Sequence, residues 1–220
     1  MDERQIGLFL LNLPIFLLSV IVHECSHGLV ALWRGDPTAK YAGRLTLNPI
    51  PHIDLYGSII LPGILLLNRS GFVIGWAKPV PIDVRNLRHR NDALLVAAAG
   101  PVSNLLLAYV FALAFSVAYR LAHGMAGPLL LITVRAVTLN CLLAIFNLLP
   151  IPPLDGHWLA LRFLPPSAAR AYARIGFFGI LIIFLLLLIP GVSETLVQRP
   201  MLTLAEFLFR AAGVPPAAFS

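Results

Sequence analysis

The chain has 220 residues, of which 59% are hydrophobic and only 12% charged. A soluble domain of this length carries about twice that share of charge, and several apolar runs reach the ~20 residues needed to cross a bilayer. The composition therefore excludes an ordinary water-soluble domain and predicts a multi-pass membrane protein. The formal net charge of +6 does not point to nucleic acid, because no basic stretch is interleaved with aromatic residues and Lys and Arg gather in the cytoplasmic loops of membrane proteins.

The start of the chain, "MDERQIG", has no positive n-region and no small-residue cleavage site ahead, so the first apolar segment is expected to stay in the mature protein. That segment runs from about Ile6 to Trp33, with Pro14 as a kink site near its start. The stretch "GRLTLNP" (Gly43 to Pro49) alternates like a strand and is followed by "IPHIDLYG". Ser58 to Leu67 is a shorter apolar run interrupted by Pro62 and Gly63. "GFVIGWAKPVPIDV" (Gly71 to Val84) is rich in β-branched residues, Gly and Pro, and reads as a hairpin or loop.

A second long apolar helix covers about Ala93 to Leu121. The link "AHGMAG" is so short that the next helix must return antiparallel. That helix begins at Pro128, a favoured first helical position, and runs to Leu149, where "PIPPLDGHW" stops it. A polar stretch with Arg162, Arg170 and Arg174 leads into a fourth span, about Tyr172 to Ile189, closed by Pro190-Gly191. The tail from Pro200 to Ala212 is amphipathic and is expected at the membrane interface.

Ser58–Leu67 is too short for a normal crossing, and runs of about 10–14 apolar residues re-enter or lie at the interface more often than they span. Charge agrees. If this run does not cross, the basic residues from Arg34 to Arg90 and from Arg162 to Arg174 all fall on one side, which the positive-inside rule makes cytoplasmic. The predicted fold is an all-α polytopic bundle of about four transmembrane helices, a re-entrant segment and a small membrane-associated β element. Five spans is the alternative. The whole of 1–220 is expected to form one integral-membrane domain, with a core over 6–160 and a C-terminal span and interfacial helix over 170–212.

The first helix carries "HECSH" at residues 23–27. Residues four apart share a helix face, so His23 and His27 can present imidazoles about 5–6 Å apart to one point, as two ligands of one Zn²⁺ require. Glu24 lies beside them and can reach a water on that metal. H-E-x-x-H on a helix is a zinc-hydrolase pattern in which the Glu is the general base. As a merely polar helix face the cluster would leave ionisable groups in lipid at a cost of several kcal/mol with nothing in return. Gly28 leaves room beside the site, while Cys25 and Ser26 point elsewhere on the helical wheel and read as packing residues. His23 lies ten residues before Trp33, placing the site about 15 Å inside the helix end.

Catalytic zinc usually takes three protein ligands and keeps one open position. The candidates for the third are Asp155, His157, His52 and Asp54. Asp155 sits where the third long helix breaks, and backbone freed from the helix there can aim a carboxylate into a bundle.

Three patterns now resemble the site-2 protease family of intramembrane zinc metalloproteases, in a compact form with no PDZ or CBS domain. They are "HECSH", the Gly-Pro-x-x-Asn of "AAAGPVSNLLLA" (Gly100, Pro101, Asn104) and "NLLPIPPLDG" (Asn147 to Gly156). "GWAKPVPID" also looks like the hairpin region of compact members. The resemblance implies one zinc per chain on His23, His27 and Asp155, with Glu24 activating water. It implies that Asn104 and Asn147 help to hold the substrate strand, although both also suit plain interhelical hydrogen bonding. It implies transmembrane substrates, a bilayer setting and a prokaryotic plasma membrane with the active site towards the cytoplasm. An exposed edge such as Arg44 to Leu47 is the expected place for strand addition by an unwound substrate. His52 and Asp54 read as loop residues and His157 as a weaker competitor to Asp155. A catalytically inactive metal-binding scaffold is the alternative function, but it would have no use for Glu24. A prenyl-protein-processing type of HExxH protease would need a downstream Glu-x-x-x-Asp, which is missing.

Overall fold

The computed structural model describes residues 3–60, 63–64, 76–89, 91–121, 127–189 and 191–215. These fall into two compact units, residues 1–96 and 97–220. Among the described residues three helices are long and apolar enough to cross a membrane, by way of Leu11–Trp33, Asp92–Leu121 and Pro128–Asn147. The chain is therefore a mainly helical membrane protein.

In the first unit, α1 (Glu3–Trp33) is a 31-residue helix with Pro14 inside it. Its buried hydroxyls turn back on the helix: Ser19 Oγ donates to the Ile15 carbonyl at 2.7 Å, so they add no unmet polar group to an apolar setting. The chain then reverses through Gly35, at φ +112°, into the single turn α2 (Thr38–Tyr41). Asp36, fully buried, is the hub of this corner. Its carboxylate accepts from the Thr38 hydroxyl, the Thr38 amide at 3.1 Å, the Asn86 side chain at 3.0 Å and the Asp83 amide at 2.7 Å. Burial alone would raise the pKa of this carboxyl. The hydrogen bonds from Thr38, Asn86 and Asp83 outweigh that and hold it below the usual carboxylate range. Nearby, the Nε of Arg34 donates to Asp92 at 2.8 Å, fixing the start of the helix that follows.

The expected strand at Gly43–Pro49 does not form. Gly43 has φ +67°. The Thr46 hydroxyl accepts the Asn48 amide at 3.1 Å, and Asn48 Oδ1 accepts the Ile50 amide at 3.1 Å. These side-chain turns compete with sheet pairing and lead into a 3-10 turn at Ile50–His52. Residues 76–83 belong to no helix or strand, and among the described residues there is no β-sheet. Residues 71–75 of the expected hairpin, and 61–62 and 65–67 of the expected re-entrant run, lie outside the described residues.

Helix α3 (Asp92–Leu121) contains Pro101 and α4 (Pro128–Asn147) starts on a proline. On α3 the large apolar residues Val102, Leu106, Val110, Leu113, Val117 and Leu121 are exposed at spacings of three and four. Such a stripe suits lipid and would be a liability in water. In the second unit Ala108, Ala112 and Phe115 of α3 pack with Leu130, Val137 and Cys141 of α4. Asn104 and Asn140, both fully buried, are joined by a 2.9 Å hydrogen bond between α3 and α4.

After α4 come α5 (Gly156–Phe163), α6 (Pro166–Ile175) and α7 (Gly179–Leu188). The segment read as one span over 172–189 is thus two helices joined by a 3-10 turn at Gly176–Phe178. The amphipathic tail is α8 (Arg199–Ala211), and its apolar stripe is not left to lipid alone. Ala205, Leu208 and Phe209 join the core of the second unit, with the Phe209 ring 5.2 Å from that of Phe115.

Because the folded pKa of Asp36 lies below its unfolded value, its contribution to stability is full above about pH 4 and is lost as pH falls through the lower, folded value. Thermal unfolding in detergent should show a drop in stability below about pH 4 in the native chain. The drop should be smaller in Asp36→Asn, which should already be destabilised by roughly 1–3 kcal/mol at neutral pH. Identical acid profiles for the two proteins would contradict this.

Candidate metal centre and catalytic base

His23, Glu24 and His27 share one stretch of α1. Both histidines are 6% exposed and their Nε2 atoms are 3.0 Å apart, with the rings edge to face. Nδ1 of His27 is 2.6 Å from the Val96 carbonyl oxygen. A carbonyl only accepts, so Nδ1 carries the proton and Nε2 keeps its lone pair, directed at His23. At that distance His23 Nε2 donates its proton to the His27 lone pair, and a cation taking the place of that proton would find two imidazole lone pairs converging on it. Tetrahedral zinc ligands at about 2.0–2.1 Å from the metal stand about 3.3 Å apart, close to the spacing found. A carbonyl on the far ring nitrogen is also how metal-binding histidines are usually oriented. The donor set in this unit fits zinc.

Glu24 is half-buried, and its Oε2 accepts the main-chain N–H of Val80 at 2.7 Å. What lets other segments come so near the helix is Gly28. A Cβ there would stand 2.5 Å from Leu45 Cδ2, 3.0 Å from Ala39 Cβ and 3.1 Å from Val80 Cγ1. Cys25 is no ligand to this site. Its thiol donates to the Thr46 carbonyl at 3.1 Å and lies 3.7 Å from that of Arg44, tying the 44–46 segment to α1. His52 donates to the same Thr46 carbonyl at 2.9 Å, and Asp54 accepts the Gly57 amide at 2.7 Å. Both serve their loop, as the sequence suggests.

Asp155, Asn104 and Asn147 belong to the second unit. Asp155 is half-buried and stands at the N-cap of α5, where its side chain makes no capping bond. The turn that carries it depends on two glycines. At Gly156 a Cβ would run into the Leu148 carbonyl oxygen, and at Gly179 into that of Pro152. No other residue fits either place without moving main chain. His157, the competing candidate, directs Nδ1 at the Leu154 carbonyl at 3.0 Å. Asn147 Nδ2 donates to the Leu143 carbonyl at 3.0 Å. Reading the sequence identified Gly156 within a motif but assigned no part to Gly179 or Val80. For Val80, the alternation of prolines around it was the available signal. For Gly179 there was none, because its neighbour is 27 positions away in the chain.

A family model described as Peptidase family M50 matches residues 12–129. The chain is 38% identical over 180 residues to a Bacillus subtilis protein named "Putative zinc metalloprotease YwhC", covering 79% of this chain and 78% of that one. It is 32% identical over 193 residues to "Putative zinc metalloprotease Rip2" of Mycolicibacterium smegmatis, covering 86% and 71%. The Rip2 of Mycobacterium tuberculosis is 30% identical over 190 residues, with 85% and 70% covered. No solved structure matches the chain significantly.

Gly156→Ala and Gly179→Ala should each lower stability by roughly 1–3 kcal/mol through forced overpacking, read as a lower unfolding temperature in detergent. Gly63→Ala, where a Cβ meets nothing within 4 Å, is the control. Equal unfolding temperatures for all three variants would show that the turn does not need its glycines.

Proposed function

The chain belongs to peptidase family M50, and on that premise we propose that it is an intramembrane zinc metalloendopeptidase that cleaves peptide bonds within or near the transmembrane segments of other membrane proteins. The observation that carries the reading is the pair of buried imidazoles converging at 3.0 Å inside an apolar helix, with a carboxylate on the adjacent residue. One oxygen of that carboxylate accepts the Val80 amide, and hydrolysis gives a use to the other. In this reading one Zn²⁺ is held by His23, His27 and Asp155. Bound zinc supplies Lewis-acid chemistry, acidifying water and polarising a carbonyl.

The protein's own groups do the rest. The Val96 carbonyl fixes the proton of His27 on Nδ1, so that Nε2 would be the ring atom offered to the metal. Glu24 takes the proton of the attacking water and returns it to the departing amine, the usual two-step duty of a general base. A transmembrane helix hides its peptide bonds behind their own hydrogen bonds, so the substrate must be extended to react. Asn104 and Asn147 are the candidates for holding that strand. Asn147 is the better candidate, because it is half-buried at a helix end and bonds back to its own helix, while Asn104 is fully buried and bonded across to Asn140.

The proposed setting is a prokaryotic plasma membrane, crossed by about four spans with a re-entrant run at 58–67. Arg34, Lys40, Arg44, Lys78, Arg85, Arg88, Arg90, Arg162, Arg170 and Arg174 would lie on the cytoplasmic side, and water would reach the site from there. On this reading the whole of 1–220 acts as one protease domain.

The test pairs metal analysis of the purified protein with cleavage of a single-pass membrane peptide, with and without a chelator. The expected result is about one zinc per chain and cleavage that the chelator abolishes. Glu24→Gln should keep the zinc and lose at least 100-fold in rate. Asp155→Ala should lose zinc. Normal cleavage by Glu24→Gln would refute its role, and full metal content in Asp155→Ala would move the third ligand to another residue.

A further inference from the structure

Within "WAKPVPID" (residues 76–83), residues 76, 78 and 80 make main-chain contacts, at every second position. The Trp76 amide donates to the Gly57 carbonyl at 3.1 Å and the Lys78 amide to the His52 carbonyl at 2.9 Å. The carbonyls of the same two residues accept from Ser58 Oγ at 2.8 Å and from Arg44 Nη2 at 2.5 Å. In extended chain a residue's N–H and C=O point to one side and the next residue's to the other. The next inward position in this register is Val80, and there the partner is a side chain: its amide donates to Glu24 Oε2 at 2.7 Å.

The sequence prepares that amide. Pro79 and Pro81 have no N–H and fix φ near −65°, and each biases the residue before it, Lys78 and Val80, towards extended conformations. A "KPVP" stretch therefore loses little conformational entropy when it is laid down straight. Val80 itself is 6% exposed, its side chain seated against the bare Cα of Gly28. Gly28 follows His27 directly, so the seat is part of the metal-binding stretch of α1.

From this juxtaposition we infer that the main-chain amide of Val80 is the positioning group for the catalytic carboxylate. It holds one oxygen of Glu24 and so aims the other at the water the base must deprotonate. The inference rests on Glu24 being the general base of the proposed peptidase. Val80 touches neither substrate nor metal and acts only through Glu24. A general base works only within hydrogen-bond reach of its proton, and a displacement of about 1 Å in such a group costs about 100-fold in rate.

The experiment compares Val80→Pro, which removes the amide hydrogen and changes the side chain in a stretch already rich in proline, with Val80→Ala, which changes the side chain and keeps the amide. Val80→Pro should lower kcat roughly 10–100-fold with KM within about twofold and zinc content unchanged. Val80→Ala should lose at least tenfold less. Wild-type kcat in Val80→Pro would overturn the inference, and so would an equal loss in both variants, since that would assign the effect to side-chain packing on Gly28.

A second measurement does not need activity. In protein labelled with ¹⁵N-valine, the Val80 amide should shift upfield and exchange with solvent at least tenfold faster in Glu24→Ala, which removes the acceptor. An unchanged resonance and exchange rate would overturn the inference even if Val80→Pro fails to fold. If the wild-type chain cleaves nothing, the protease reading falls, while the Val80 resonance still decides whether this amide holds Glu24.

Discussion

Two imidazole nitrogens 3.0 Å apart, inside a helix apolar enough to cross a membrane, are the constraint around which the first unit is built. Leaving water costs each ionisable group several kcal/mol in such a place. A divalent cation in place of the proton the two rings share would offset that cost, and the Val96 carbonyl on the far side of His27 prepares the ring to receive it. Glu24, one residue from His23, is the carboxylate proposed to act on the water of that site.

The surroundings of that pair follow from one missing side chain. Gly28 lets Leu45, Ala39 and Val80 approach the helix more closely than a Cβ would allow. Two irregular segments use the opening. The 44–46 stretch is tied to α1 through the Cys25 thiol, and the proline-stiffened 76–83 stretch is tied through Glu24. Non-helical backbone at membrane depth is tolerated only when its polar groups are met by protein or lie in a water-filled cavity. Here the alternate amides and carbonyls of 76–80 find Gly57, His52, Ser58, Arg44 and Glu24. The Glu24 carboxylate is thus one of the acceptors that keep this loop in place, so its orientation and the loop's course depend on each other.

The sequence made the long-range order of the helices legible, since three apolar runs of ~20 residues leave little choice in lipid. It also made the histidine pair legible, because helical periodicity alone sets residues four apart on one face. The strand at Gly43–Pro49 was misread. Its alternation is real, but the Thr46 and Asn48 side chains turn the backbone locally, and period-two hydrophobicity does not register that competition. The run at 172–189 reads as one helix by hydropathy, whereas the structure breaks it at Gly176–Phe178, just ahead of Gly179, which stands against the Pro152 carbonyl. Cys25 was rightly kept out of the ligand set, yet its bond to the Thr46 carbonyl depends on a tertiary contact 21 residues away that no local pattern encodes. The same holds for Val80, whose role lies in its main chain and therefore leaves no side-chain signature.

The central claim is that His23 and His27 share one zinc ion with a carboxylate. Zinc-edge X-ray absorption on the purified full-length protein tests it most directly. The account predicts two imidazole nitrogens and at least one oxygen at about 2.0–2.2 Å, with the imidazole scattering reduced by half in His23→Ala. A spectrum without imidazole scattering, or one that His23→Ala and His27→Ala both leave unchanged, would contradict it.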